Sequence, residues 1–370
     1  DLQAEELANV EIRPQDILLN ITGASVARCC MVPEEVLPAR VNQHVSIVRV
    51  NTSLADPNFV MYAINSPHYK TYLLTLAQGG ATREALTKTT IENFEILLPH
   101  VVIQRKIGTI LSAYDKLIKN NVRRIHILER IAHDLYEHWF VHFRFPKYGD
   151  KKLVETEIGL IPEGWEVARL SQAIHVNPRV TAMKGTEKPY IPMERLSETN
   201  MLIETADMKY RTASSGSKFS NFDTLFARIT PSLENGKTGY VQFLPENGVE
   251  IGSTEFVVLR SKSLTSEYVY CLARRPEFRE AAQKTMTGAS GRQRVQNGFF
   301  DEYRIVQPPP EILRTFADKV SPIFAQIKVL GERNTRLRES RDLLLPRLIS
   351  GDLDVSQVDI QIEELEQMET

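Results

Sequence analysis

Two stretches of the chain repeat apolar positions with a seven-residue period. In the first, Ile107, Tyr114, Asn121, Leu128 and Leu135 form one set, and Leu111, Ile118, Ile125, Ala132 and Trp139 form its companion. In the second, Phe316, Ile323, Leu330, Leu337 and Leu344 alternate with Val320, Ile327, Asn334, Arg341 and Leu348. Four to five such heptads predict a long helix in each place, the two packed side by side as a coiled coil. At 1.5 Å per residue, about 40 residues make a rod of about 60 Å. Pro322 lies inside the second helix and is expected to kink or restart it, because the ring removes a backbone donor and crowds the preceding turn. One polar residue interrupts each seam. Asn121 and Asn334 either pair across it, fixing register at some cost in stability, or tip into solvent.

Each helix pattern follows a short apolar run that ends in proline, at Pro99 and at Pro308, and the likeness continues upstream. "PQDILLNITGASVARC" (Pro14–Cys29) and "NFDTLFARITPSLENGKTGYV" (Asn221–Val241) share an Asp, an apolar pair and Ile-Thr at an offset of 207 residues. "RVNQHVSIVRV" and "EIGSTEFVVLRS" follow, each reading as a strand. Next come the helix-like "DPNFVMYAINSPHYKTYLLTL" and "TSEYVYCLARRPEFREAAQKTM", then the Gly-rich basic loops "QGGATREALTKTT" and "TGASGRQRVQNGF". A last short strand runs into each proline. Features recurring in one order over such a distance mark an internal repeat.

The second copy has about 60 residues between a linker and Asp223, opening with "GLIPEGWEVARL", whereas the first has 15 before Asp16. The first copy is therefore expected to be incomplete at its N-terminus. Twin copies related by a pseudo-twofold axis favour antiparallel packing of the helices. The predicted fold is α+β: two similar α/β domains separated by two long helices in an antiparallel coiled coil. The expected boundaries are residues 1–100 for the first domain, 101–145 for the first long helix and 146–158 for a linker. The second domain takes 159–308, the second long helix 309–350 and an acidic tail 351–370.

At 370 residues, 42% hydrophobic and 25% charged, the chain can hold two or three cores. No apolar run approaches the roughly 20 residues of a membrane helix. The N-terminus "DLQAEELANV" lacks the charged start and apolar stretch of a signal peptide, and its missing initiator Met suggests a fragment. Cys29, Cys30 and Cys271 make no disulfide framework, and the adjacent pair would bridge only with strain, so reduced thiols in the cytoplasm are expected. Net charge is −2, but the last 20 residues hold seven Asp or Glu and no Lys or Arg. Without them 45 basic residues face 40 acidic ones. The body permits DNA binding, and the tail is expected to be solvated and disordered.

Catalytic motifs are missing. "DPNF" (Asp56–Phe59) resembles the loop with which amino-methyltransferases hold an exocyclic amine, but Asn58 replaces the second proline and no Gly-rich cofactor loop precedes it. A turn entering a helix explains it better. "LENGKTG" lacks the first glycine of a phosphate loop, Glu-x-Lys occurs nowhere, and no Cys or His pair has zinc-ligand spacing. His126, His133, His138 and His142 line one helical region without an acidic partner set. No nucleophile, base and orienting group converge. The pattern is that of a binder.

The repeat, with "ARITPSLENGKTG", "GSTEF", "IPEGWEVARL" and the closing "RESRDLLLPRLISGDL", resembles the specificity subunit of type I restriction-modification enzymes over nearly the whole chain. That resemblance implies two target-recognition domains, each reading one half of a split sequence in double-stranded DNA, with the helices as spacer. It implies no cofactor in this chain. Two methylation subunits that hold S-adenosylmethionine and methylate adenine would dock on it, and restriction subunits that use ATP and Mg would translocate and cut. The other reading is a coiled-coil interaction scaffold whose domains no longer read DNA.

The candidate DNA contacts are Arg83 and Lys88 in the first Gly-rich loop and Arg292, Gln293 and Arg294 in the second. Arginine grips phosphate or reads guanine through two hydrogen bonds. "RITPSLENGKTG" offers Arg228, Thr230, Asn235 and Lys237, and "NITGASVAR" offers Asn20, Thr22 and Arg28 at the matching place. "ARVNQH" adds Arg40, Asn42 and Gln43, where Asn and Gln suit adenine or merely cap strands. The aromatic run "HWFVHFRFP" (His138–Pro146) is expected to pack the helix end against a domain rather than stack on bases.

Overall fold

The computed structural model describes residues 8–78, 85–146, 152–180, 187–212, 216–289 and 291–359. The chain divides into two compact units: unit 1 runs up to Lys119 and resumes at Arg336, and unit 2 is Asn120–Thr335. Elements below are numbered in chain order.

Unit 1 is built on an antiparallel sheet of β1 (Ile17–Asn20), β2 (Cys29–Met31) and β3 (Val45–Val48), ordered β2-β1-β3. Helices α1 (Pro57–Asn65), α2 (Pro67–Gln78) and α3 (Lys88–Glu92) follow. Long helix α4 (Val101–Tyr136) begins in this unit, and long helix α9 (Pro310–Ser350) ends in it. Ile17, Leu19, Phe59 and Leu73 share one core with Ile107 and Leu111 of α4 and Leu345 and Leu348 of α9. Lys106 Nζ donates to the carbonyls of Val355 and Ser356, while Arg341 donates to Asp115. As numbers rise along α4 they fall along α9, so the helices are antiparallel here.

Unit 2 opens with a hairpin of β4 (Leu153–Thr156) and β5 (Gly159–Pro162). Next come β6 (Glu166–Arg169), the short α5 (Leu170–Ala173) and β7 (Ile174–Val176). One four-stranded sheet, ordered β10-β13-β8-β9, is made of β8 (Glu187–Ile191), β9 (Tyr210–Thr212), β10 (Ser217–Phe219) and β13 (Glu250–Gly252). The other, ordered β12-β11-β14-β7, adds β11 (Thr224–Ala227), β12 (Thr238–Tyr240) and β14 (Phe256–Ser261) to β7. Helices α6 (Ser266–Arg274), α7 (Pro276–Gln283) and α8 (Asn297–Glu302) follow, and β15 (Arg304–Gln307) pairs with β6. Ile125 and Ala132 of α4 and Val320, Phe324, Ile327 and Leu330 of α9 are buried in the same core as α6.

The repeat holds at the level of strand order and of single side chains. β1, β2 and β3 correspond to β11, β12 and β14, and Ile17 faces Met31 as Thr224 faces Tyr240. Asp16 and Asp223 each precede the central strand, each with a left-handed residue before it, at Gln15 (φ 63°) and Phe222 (φ 70°). Each carboxylate is almost fully buried, accepts a backbone N–H three residues back (Arg13, Ser220), and takes a guanidinium fork from Arg49 or Arg260. Burial alone would raise the Asp16 carboxyl; the Arg49 hydrogen bonds and the Arg13 N–H outweigh it and hold it below its usual value.

Several expectations change. The helix-like stretch of each copy is two helices, because Pro67 and Pro276 each start a new one. Helix α9 runs through Pro322 without a break; that residue faces solvent, where water can take the freed carbonyl. Ile323 and Leu344 are only half-buried, and their neighbours Phe324 and Leu345 take the buried places. Phe324 does so because α9 also packs on its domain, with rings of Tyr240 and Tyr270 at 5.0 and 5.4 Å, which widens the apolar stripe beyond a coiled-coil seam. Of the other seam positions, Tyr114, Ile118, Leu128, Leu135 and Leu337 are half-buried.

The last strand expected before Pro99 is absent. In unit 2 the matching β15 is held by β6, whereas no described strand pairs with Phe94–Leu98; Leu97 N–H donates to the Tyr69 hydroxyl instead, and the Leu97 residue is 83% exposed. The acidic tail is not wholly solvated, since Val355 is buried beside the α4 and α9 side chains of unit 1; residues 360–370 lie outside the described residues. The aromatic run is core: Trp139, Phe140 and Phe145 are buried, and Phe140 meets Phe316 edge-on at 4.9 Å.

Asn121 Nδ2 donates to Asn334 Oδ1 at 2.9 Å, and both side chains are buried. Replacing Asn121 alone by Leu removes the buried donor to Asn334 Oδ1 and costs roughly 1–3 kcal/mol. Replacing both by Leu restores most of that loss. Urea denaturation of the single and double variants measures it, and a single variant as stable as the parent would contradict it.

Candidate nucleic-acid interface

The stretch after β11 and the second Gly-rich loop are sewn together. Thr230 N–H donates to the Gln293 carbonyl at 3.1 Å, and Gln293 N–H returns a bond to Thr230 Oγ1 at 3.1 Å. Val295 N–H donates to the Arg228 carbonyl, and Arg228 N–H to that of Glu255. Two separate candidate sequences thus become one surface, with Arg228, Thr230, Gln293 and Arg294 side by side.

Glu255 sits at its centre. Arg294 forks onto it, with Nε 3.0 Å from both carboxylate oxygens and Nη2 2.7 Å from Oε1. Arg228 Nε lies 4.0 Å from Oε2, and its Nη1 reaches Asn297 Oδ1 at 3.5 Å. One carboxylate therefore aims two guanidiniums. Arg292 is exposed at the tip, where Gly288 (φ 128°) and Gly291 (φ 76°) supply the left-handed turns. Such a group can grip phosphate oxygens or a guanine edge. The other candidates from this stretch are engaged in holding the turn: Asn235 Nδ2 donates to Glu198 Oε1 at 3.2 Å, and Lys237 Nζ to the Met193 carbonyl at 3.4 Å.

Unit 1 gathers a smaller polar group at the matching place. Asn20 Oδ1 accepts from Thr22 N–H at 3.3 Å, Thr22 Oγ1 lies 2.8 Å from His44 Nδ1, and Asn42 Oδ1 accepts from His44 N–H at 3.0 Å. Gln43 and Arg28 are exposed nearby in sequence. The bridge Thr22–Ala85 matches Ile229–Arg294, so Ala85 stands where unit 2 has its forked arginine. Arg40 is half-buried, bridges Glu11 through the backbone and comes within 3.9 Å of its carboxylate, which makes it part of the framework. Lys88 opens α3 and pairs with Glu92 at 3.6 Å on the surface. Arg83 lies outside the described residues.

Sequence reasoning missed Glu255, Asn297 and His44. Glu255 stands in the quoted "GSTEF", and the signal was there: an acidic residue in a turn whose partner could only be a cation. "DPNF" is a helix start, with Asp56 Oδ1 accepting from Phe59 N–H at 2.8 Å. Among the described residues no group of three His, Cys, Asp or Glu side chains is placed to hold a metal.

The family model described as "Type I restriction modification DNA specificity domain" matches residues 3–130. The chain is 27% identical over 311 residues to the type I restriction enzyme MjaIX specificity subunit of Methanocaldococcus jannaschii, covering 81% of this chain and 70% of that one. By both comparisons the chain resembles the specificity subunits of type I restriction-modification enzymes. Another relative is the HindI specificity subunit of Haemophilus influenzae, 20% identical over 411 residues, with 94% of this chain and 88% of that one covered. The crystal structure of a type I restriction-modification S subunit from M. genitalium shares the fold, with a TM-score of 0.54 at 14% identity over 92% of this chain and 84% of that one. Among the described residues, unit 2 carries a two-arginine, one-carboxylate cluster, and unit 1 carries Asn, Thr and His hydrogen bonds with exposed Arg28 beside Asn20.

Arg294 keeps much of its side chain in solvent, so Arg294→Ala is expected to leave the thermal midpoint nearly unchanged. Thr230→Val removes the acceptor of the Gln293 N–H and speeds amide exchange at Gln293. Thermal denaturation and hydrogen exchange check both; a large stability loss with Arg294→Ala would show the pair to be structural.

Proposed function

We propose that this chain is the non-catalytic specificity subunit of a type I restriction-modification enzyme and that its two units each read one half of a bipartite DNA target. The reading is carried by one observation: the same sheet, with the same buried Asp–Arg clamp, presents a loop cluster at the same topological place twice. In unit 2 the cluster centres on two arginines and suits phosphate or guanine; in unit 1 Asn20, Thr22, Asn42 and Gln43 suit adenine, with Arg28 beside them for phosphate. The match to the specificity-domain model and the likeness to the MjaIX specificity subunit support this reading.

In this reading the paired helices set the spacing of the half-sites. Exposed apolar side chains on the helices, such as Leu117, Ile127 and Ile131, suit docking of methylation subunits. S-adenosylmethionine, ATP and Mg belong to those partners and to restriction subunits, and the reaction takes place in the cytoplasm. No helix among the described residues is long and apolar enough to cross a membrane.

The test is reconstitution of the chain with its methylation subunits and measurement of adenine methylation on a randomised duplex library. Arg294→Ala and Arg228→Ala are expected to lower discrimination at one half-site by roughly 1–3 kcal/mol per lost base contact, leaving the other half-site intact. Unchanged selectivity in both variants would remove these residues from the interface.

A further inference from the structure

Arg294 is fixed at both ends. Its N–H donates to the Thr287 carbonyl at 2.9 Å, Thr287 N–H returns a bond at 3.1 Å, and Ile229 bridges Arg294 as well. Its side chain is held by Glu255, which takes Nε at 3.0 Å and Nη2 at 2.7 Å. Arg292, two residues earlier, is exposed beside the left-handed Gly291 and makes no side-chain hydrogen bond among the described residues. The matching position in unit 1 is Ala85, so only one unit carries this side chain.

A guanidinium has five N–H donors in a rigid, planar fork. In Arg294 the Nε–H and one Nη2–H go to Glu255, and Nη1 reaches the Arg292 carbonyl at 3.4 Å. One N–H on each Nη is left over, a pair able to point together at two acceptors. Two phosphate oxygens or the O6 and N7 of guanine both match such a pair.

Charge decides between them. Glu255 neutralises the guanidinium it holds, and a phosphate on the remaining donors would lie well within a Debye length of that carboxylate. Arg228 adds charge from 4.0 Å, but its Nε is buried without a hydrogen-bond partner and its Nη1 is turned to Asn297 Oδ1. A guanine edge requires donor geometry and little net charge, so the carboxylate costs it little. Rigidity points the same way: an unsupported arginine can follow a phosphate, whereas a base edge accepts two bonds in one plane.

We propose that Glu255 is a specificity-determining residue that acts through Arg294. By holding the fork it commits Arg294 to one guanine in the half-site of unit 2 and leaves phosphate gripping to Arg292. This inference rests on the reading of unit 2 as a DNA-recognition domain and names one base of its target.

The test reconstitutes the chain with its methylation subunits and compares the parent with Glu255→Ala, Arg294→Lys and Arg292→Ala on a randomised duplex library. The parent is expected to select G at one position of one half-site. Arg294→Lys keeps the charge without the fork, and Glu255→Ala keeps the fork without its support. Each is expected to lower the preference for G at that position roughly tenfold or more, with the other half-site as the control for folding. Glu255→Ala is also expected to steepen the salt dependence of DNA binding by about one phosphate contact, which loss of a glutamate remote from the DNA would not do. Arg292→Ala is expected to weaken binding alike on all sequences. Full selection of G by Glu255→Ala or Arg294→Lys would overturn the proposal, as would an equal loss on all sequences with Arg294→Lys. A parent enzyme that methylates without any two-part motif would overturn the DNA reading itself, and the proposal with it.

Discussion

One hydrogen bond inside an apolar seam fixes the register on which the rest of the structure depends. Asn121 and Asn334 are both buried and hydrogen-bonded to each other, so a slip of either helix would break that bond inside the seam. Apolar seams tolerate sliding; a buried polar pair does not. With that register set, Asp115 meets Arg341 and Tyr62 in unit 1, and Glu129 meets Tyr270 and the Met201 backbone in unit 2. Both helices supply apolar side chains to both cores, and α4 also places a carboxylate in each unit, Asp115 in unit 1 and Glu129 in unit 2. Burial pushes the Glu129 carboxyl up, although Tyr270 and the Met201 N–H oppose this.

A second constraint, used twice, holds each sheet. The Asp16–Arg49 and Asp223–Arg260 clamps tie the start of the central strand to a neighbouring strand or the residue just past it. Arginine matches the carboxylate with two parallel bonds, and the backbone N–H from three residues back satisfies another lone pair. Such a clamp leaves the loop beyond the far end of the strand free to vary. Unit 2 spends that freedom on guanidiniums organised by Glu255; unit 1 spends it on Asn and Thr hydrogen bonds around His44.

Much of this was legible in the sequence because it is periodic or repeated. The heptads announced both long helices, and the order of motifs announced a shared sheet before any strand was seen. The aspartates of the clamp were visible as the repeat's anchor, but their arginine partners lie 33 and 37 residues away, where spacing carries no signal. Which face of α9 was buried could not be read to the residue, because Phe324 answers to Tyr240 and Tyr270 as well as to α4. The strand expected before Pro99 failed for a related reason. Its sequence is suited to a strand, yet a strand needs a partner, and β6 has no described counterpart in unit 1. Glu255 was passed over because a lone carboxylate in a basic loop looks like solvation until two arginines converge on it.

The most direct measurement of the central claim is adenine methylation mapped across the genome of cells with and without this gene. The expected result is one methylated motif that disappears with the gene and consists of two short specified halves separated by a fixed run of unspecified bases. A contiguous motif, or no change in methylation while the partner subunits are present, would contradict it.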